Sequence, residues 1–359
     1  MIGSLTHVDP RADARAGLER FLDEVPAGTI VVAGHFDADG LSAVATLVRA
    51  LRAAGRAAEP VIVGKTETPW DHSFAERLRA LEPAGLIVTD LGTRGEAVLA
   101  DIPTLIVDHH RPTGTPPNAI TLSGNGLDPE PTSALIAWWA TAALGAQDDL
   151  QWLAALGLIG DMAPEDGFPE LAEAQKRWGK TALRDATSLV NAPRRTGKAD
   201  ASPALRLLLE ADGPKVISKG DSADAQALVA AKAEVREAVE AARRVAPRVV
   251  GDVALILFAS PCQIHPLIAQ QWRGRLKDKV VIAANAGFRP GWVHFAARSA
   301  SGRDLLAFLA DHRPDGADGR YGNGHAQATG GALPIPLWNR FVGGLGFPDA
   351  MLSEDNDSG

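Results

Sequence analysis

The chain reads as an α/β protein, with a parallel sheet in its first half and a smaller second α/β domain joined to it by a helical connector. Three observations predict this. Apolar, β-branched runs at 29–34, 60–64, 85–89 and 102–107 alternate with stretches at 41–56 and 72–82 whose apolar residues recur at helical spacing. A second such block follows, with strands at 253–258 and 280–284 flanking a helix near 265–277 and a further alternating run at 293–298. The length of 359 residues exceeds what one hydrophobic core usually supports, so a bilobal chain is expected. Strands separated by helices imply parallel pairing through right-handed crossovers, and sites in such sheets form beyond the carboxyl ends of the strands.

Between these blocks the elements follow in order. Pro131-Thr132-Ser133 opens an apolar helix running through Trp138-Trp139, with a hydroxyl near its N-cap. A second apolar helix over about 149–160 ends at Gly160-Asp161-Met162. Trp138, Trp139 and Trp152 fall at helical spacing among Ala and Leu and are expected in the core. The stretch 163–220 is helical and irregular, and Arg194-Arg195 and Lys198 fall in what reads as a solvated loop. Residues 222–246 form an Ala/Glu/Arg helix, 303–311 are helical, and the glycine-rich Gly322-Asn323-Gly324-His325 precedes Gly330-Gly331. The expected divisions are 1–220, a connector at 221–247, a second domain at 248–347 and a disordered acidic tail at 348–359.

Hydrophobic content of 46% against 22% charged places the chain among soluble globular proteins. No apolar run approaches the roughly 18 residues of a membrane span, and the N-terminus lacks a basic segment followed by an apolar one. With one cysteine, Cys262, no internal disulfide forms, which suits a reducing cytoplasm; its apolar neighbours suggest packing and not nucleophilic chemistry. The net charge of −8 argues against a grip on long nucleic acid through many phosphates. Residues 251–345 carry ten Lys and Arg against six Asp and Glu, so the excess acidity lies elsewhere and a polyanion site belongs in the C-terminal third.

The chemistry concentrates where the apolar runs end. The first run leads into His35, Asp37 and Asp39, the third into Asp90, and the fourth into Asp108-His109-His110. Charge at the end of a buried strand is tolerated when it is paired or bound to metal. Asp37-Ala38-Asp39-Gly40 lacks the acidic ladder and terminal Glu of a calcium loop, so ligation at a strand end explains it better. Carboxylate and imidazole donors suit Mn²⁺ and also admit Mg²⁺, Fe²⁺, Co²⁺ or Zn²⁺. Asp37, Asp39, Asp90, His109 and Asp161 suffice for a metal pair sharing a bridging carboxylate. The plainer readings are a capped strand end at Asp108, a helix cap at Asp90, and a helix terminus at Asp161.

These motifs, in this order and spacing, resemble the DHH phosphoesterase superfamily over about 28–165. The C-terminal third is similar to the associated DHHA1 domain, through Ile264-His265-Pro266, Ala297-Arg298-Ser299 and Gly322-Asn323-Gly324-His325. The resemblance implies two Mn²⁺, with Mg²⁺ or Co²⁺ as substitutes. Asp37 and Asp90 would hold one ion, with His35 as a further ligand, and Asp39, Asp90, His109 and Asp161 the other. It further implies that Asp90 bridges, that Asp108 orients a histidine from behind, and that His110 faces the scissile phosphate. Arg298, Ser299, Gly324, His325 and His265 would hold the substrate. Two departures stand out: His35 lies two residues before Asp37 where several relatives place their histidine four before, and Asn323 interrupts the final glycine run.

The implied activity is that of a RecJ-like or nanoRNase-like exonuclease, cutting single-stranded DNA, RNA or short oligonucleotides from one end to 5′-mononucleotides in the cleft between the lobes. The partners are thus a nucleic acid strand and no membrane, with a homodimer left open. Alternatives are a phosphodiesterase for cyclic dinucleotides, a phosphatase for 3′-phosphoadenosine 5′-phosphate, or a non-catalytic binding relative. Trp70 is either a base-stacking platform or a packed loop residue, and Arg94 and Arg111, just after the second and third motifs, could neutralise phosphate.

Overall fold

The apolar runs become strands whose successive side chains point into two different cores. A computed structural model describes residues 5, 8–145 and 148–353, and divides the chain into two compact units, Met1–Arg194 with Ala199–Lys232 and Arg195–Lys198 with Ala233–Gly359. In chain order the first unit holds α1 (Pro10–Glu24), β1 (Ile30–Gly34), α2 (Ala38–Ala53), β2 (Ala58–Ile62), α3 (His72–Arg79), β3 (Gly85–Thr89), β4 (Thr104–Asp108) and β5 (Ala119–Ser123). The helices α4 (Ser133–Ala140), α5 (Gln151–Gly160), α6 (Pro169–Trp178), α7 (Lys180–Val190), α8 (Ser202–Glu210) and α9 (Pro214–Lys219) follow. Helix α10 (Ala223–Ala242) begins in the first unit and ends in the second.

The first sheet is wholly parallel, ordered β2-β1-β3-β4-β5. Ile30, Val32, Ile87, Leu105 and Val107 enter one core, covered by α1, α2, α4 and α5. Val31, Ala33, Leu86, Val88 and Ile106 enter the other, with Phe74 and Leu78 of α3. Burial on both faces explains why these strands read as continuous apolar runs without alternation. Pro60 is accommodated because β2 is an edge strand, where a missing N–H breaks no ladder. The chain leaves β1 to β2 on one side and returns to β3 on the other, so the strand order reverses between β1 and β3, where α/β sheets open a crevice.

The second unit contains β6 (Arg248–Val250), β7 (Val253–Phe258), α11 (His265–Arg275), β8 (Val280–Arg289), β9 (Trp292–Ser299), α12 (Leu305–Asp311), β10 (Tyr321–His325), β11 (Ala328–Pro334) and α13 (Ile335–Gly344). Its sheet runs β10-β11-β9-β8-β7-β6 and is antiparallel except for β7–β8, the pair that α11 joins. Residues read as a glycine-rich loop thus form the β10–β11 hairpin. Helix α2 begins at Ala38, three residues before the expected start, because Asp37 caps it through Gly40. The acidic tail was expected from Pro348, yet Ala350 is buried and Leu352 exchanges two hydrogen bonds with Asn339. Residues 354–359 of that tail lie outside the described residues. Among the described residues no helix is long and apolar enough to cross a membrane.

Candidate metal centre

Each ligand candidate in the first unit is delivered by the end of a strand or helix. Beyond β1 come His35 and Asp37, whose Oδ1 accepts from Gly40 N at 3.1 Å to cap α2. Asp39, in the first turn of α2, is fully buried and has both oxygens fixed at the N-terminus of α4, by Ser133 N at 2.8 Å and Ala134 N at 2.9 Å. The free amides and positive end of a helix suit a carboxylate there. Asp90 follows β3 in the left-handed region, φ 59°, a conformation Asp tolerates better than most residues and one that clusters at functional sites. Its Oδ1 accepts from the Ser133 hydroxyl at 3.1 Å. Asp161 sits at the C-terminal end of α5.

Asp108 is fully buried and ties two loops together. One oxygen accepts from Gly92 N at 2.5 Å, the other from His110 N at 2.6 Å and His110 Nδ1 at 3.0 Å. The histidine it orients is therefore His110, which is 56% exposed at the side chain and has its pKa raised by that hydrogen bond. His109 turns inward. Its Nε2 lies 3.2 Å from Asp161, 3.6 Å from Asp90 and 3.9 Å from Asp39, while Nδ1 is 3.4 Å from Glu130. His35 Nδ1 lies 3.0 Å from Asp37 and 3.7 Å from Asp90.

Three donor groups result, each with ligand atoms within 4.8 Å of one another: His35, Asp37 and Asp90; Asp90, His109 and His110; Asp39, His109 and Asp161. Their charge is poorly balanced. Burial, and then neighbouring Asp161, push Asp39 up to about 7. Burial followed by Asp39 and Asp37 holds Asp90 well above the usual carboxylate range. Burial disfavours a charged His109, yet the carboxylates of Asp161, Asp90 and Asp39 lift it to about 12. His109 Nε2 is nonetheless buried without a hydrogen bond. An imidazole nitrogen, which gives up its proton when a metal binds, and crowded carboxylates aimed at one place fit a divalent cation, whose charge relieves the same repulsion.

Sequence reading missed Arg194, expected in a solvated loop. Its Nη1 donates to Asp37 Oδ2 at 2.7 Å. Asp37 is pushed up by burial, but His35 and Arg194 outweigh that and hold it well below the carboxylate range. Ser133 was legible as a helix start but not as the residue joining Asp39 to Asp90.

The expected substrate residues all lie in the second unit. Arg298 donates from Nη1 to Ala297 O at 2.9 Å and Thr329 O at 3.1 Å. Ser299 is buried, its hydroxyl engaged with Ser301 and the Lys279 carbonyl. Gly324 in β10 has φ 131°, and a Cβ there would press on the Ala328 carbonyl. His325 has its backbone in β10, and its side chain lies outside the described ones. His265 is buried at the start of α11, 6.1 Å between ring centroids from His294. Cys262 is packed and donates to Glu234, with burial pushing its thiol up to about 11, which suits structure and not nucleophilic attack.

Residues 29–156, the span carrying every donor except Asp161, match the DHH family, N-terminal domain, in sequence. The single-stranded-DNA-specific exonuclease RecJ of Thermus thermophilus is 30% identical over 87% of this chain and 50% of its own length, so the chain spans about half of that relative. A crystal structure of exonuclease RecJ bound to manganese aligns with TM-score 0.65 at 22% identity, over 96% of each chain. RecJ from Thermus thermophilus in complex with Mn²⁺ aligns with TM-score 0.68 at 24% identity, over 96% of this chain and 55% of that one. Both likenesses are of fold.

Proposed function

We propose that the chain is a metal-dependent phosphodiesterase that degrades single-stranded nucleic acid or short oligonucleotides from one end to 5′-mononucleotides. The observation that carries this reading is the convergence of three donor groups sharing Asp90 and His109 at the reversal point of a parallel sheet. Asp37, Asp39, Asp90, His109 and Asp161, joined by His35, would hold two Mn²⁺. If bound there, divalent ions would supply Lewis-acid chemistry to a phosphoryl transfer.

The chain's own residues do the rest. Asp108 holds His110 through Nδ1, so Nε2 is the atom that meets a substrate phosphate, and its raised pKa favours the charged, proton-donating form. Ser133 and the start of α4 fix Asp39 and Asp90 before any ligand arrives. Arg298 and the β10–β11 hairpin would hold a strand terminus, while His265 is buried beneath that surface. The RecJ relative supports single-stranded substrate, and the net charge of −8 favours short strands over processive grip.

A ladder of single-stranded DNA and RNA oligonucleotides, with Mn²⁺ or Mg²⁺, tests the reading. Stepwise release of 5′-mononucleotides is expected, and Asp90→Asn should lower it by more than about a hundredfold. Asn is chosen because it tolerates a left-handed backbone, whereas Ala would add about 1–2 kcal/mol of strain. Turnover confined to dinucleotides, cyclic dinucleotides or 3′-phosphoadenosine 5′-phosphate would replace the exonuclease with a small-nucleotide enzyme. A protein that binds oligonucleotides but is inert with every metal would be a binding relative.

A further inference from the structure

Four residues beyond Asp90, Arg94 sits over the ring of Trp70, its guanidinium carbon 4.0 Å from the ring centroid. Both partners are held in place. The Trp70 indole donates to the Glu96 carbonyl at 3.1 Å, so the loop that carries Arg94 also pins the ring beneath it. That loop is fastened to the one after β4. Gly92 N donates to Asp108, and Thr113 N and Oγ1 both donate to the Thr93 carbonyl, at 2.9 and 3.3 Å. Arg94 is therefore fixed at its backbone relative to Asp108 and His110, and fixed at its head by the indole.

What the guanidinium lacks is an acceptor. Among the described residues it forms no ion pair and donates no hydrogen bond, although the chain has an excess of carboxylates. Several other stacked arginines are satisfied, such as Arg77 over Phe74, which pairs with Glu67, and Arg177 over Trp178, which donates to the Asp148 carbonyl. Arg275 over Trp272 and Arg289 over Trp292 also lack an acceptor among the described residues, but both lie in the second unit, not in the unit that holds the donor groups. A planar cation held over an aromatic ring, on an exposed residue, is organised to bind an anion with little loss of side-chain freedom. Four residues of chain reach at most about 14 Å, so a strand whose scissile phosphate meets the donors around Asp90 brings a nearby phosphate, not a remote one, to Arg94.

We infer that Arg94, braced by Trp70, binds a backbone phosphate adjacent to the scissile one and selects substrates with at least two phosphates in series. This rests on the phosphodiesterase reading above and adds a second anion subsite on the first unit. The test compares oligonucleotides with bis(p-nitrophenyl) phosphate, which has one phosphodiester and no neighbour. For Arg94→Ala, KM for a short oligonucleotide should rise by about tenfold, with a loss at least several times that seen on the small diester. The plot of log kcat/KM against log salt should flatten by about 0.7, the contribution of one phosphate contact on a single strand. Replacing single linkages by neutral methylphosphonate, position by position, should find one that weakens the wild type but not Arg94→Ala. Trp70→Phe should retain most of the effect and Trp70→Ala lose part of it. Equal losses on both substrates, or an unaltered salt slope, would overturn the inference. Hydrolysis of the small diester with no turnover of oligonucleotides would instead remove the nucleic-acid reading, and this subsite with it.

Discussion

His265 shows what a single buried side chain can report. It lies under the surface of the second unit, beside His294 and near Arg195 and Arg298, and its Nδ1 has no hydrogen-bond partner. Burial first, then those three groups, hold its pKa down at about 3. The unfolded chain would take up a proton near pH 6.5 that the folded chain refuses until about pH 3, so between these values acid favours unfolding. The neutral imidazole's contribution is complete above pH 6.5 and erodes as pH falls, by up to about 1.4 kcal/mol per unit. Thermal melts of the full chain in EDTA should therefore lose Tm between pH 7 and 5 more steeply than melts of His265→Gln, by a few degrees. Parallel profiles would mean that His265 is hydrated or paired in solution. At the same scale, Arg194 shows why some contacts are not legible in sequence: its partner Asp37 is 157 residues away, and nothing local separates it from Arg195, which donates to the Gln263 carbonyl, or from exposed Lys198.

At the scale of elements, legibility followed burial. Strands β1, β3 and β4 are apolar throughout because both faces are covered, so a terminal Asp or His stands out against the run. Strand β5 went unread because Ala119–Ser123 mixes Thr and Ser with its apolar residues, and α1 because its amphipathic pattern sits apart from any motif. The β10–β11 hairpin was hidden by its glycines, which usually signal loops. The packing of α2, α4 and α5 could not be read from any one of them. Gly157 in α5 faces Asp39: a Cβ there would land on the Asp39 carboxylate and on Ala134. Exchanging Gly for Ala inside a helix usually stabilises by about 1 kcal/mol. Here the sign should reverse. Gly157→Ala must displace either α5 or the carboxylate fixed by α4, so it should lower Tm and weaken Mn²⁺ binding together, measured by calorimetric titration. A more stable variant with unaltered Mn²⁺ affinity would show that α5 shifts freely.

At the scale of the whole chain, the two units have separate cores, and every residue of the three donor groups belongs to the first. A ligand stabilises the cooperative unit that binds it by RT ln(1 + [L]/Kd), about 2.7 kcal/mol at a hundred times Kd. Core amides exchanging through opening of that unit should then slow by about a hundredfold, while those of a unit that opens on its own should not respond. Hydrogen exchange followed by mass spectrometry, on the intact chain with EDTA or with Mn²⁺, separates the possibilities. Protection is expected in β1, β3, β4 and the start of α4, where Ser133 and Ala134 bond to Asp39, and not in β8 or β9. Asp90→Asn should abolish the protection while its exchange in EDTA stays close to wild type, which distinguishes a lost ligand from a lost fold. Equal Mn²⁺-dependent protection in β8 and β9 would mean that the units open together. Protection confined to the second unit would place the metal away from Asp90 and His109 and remove the basis for a catalytic centre at the end of this sheet.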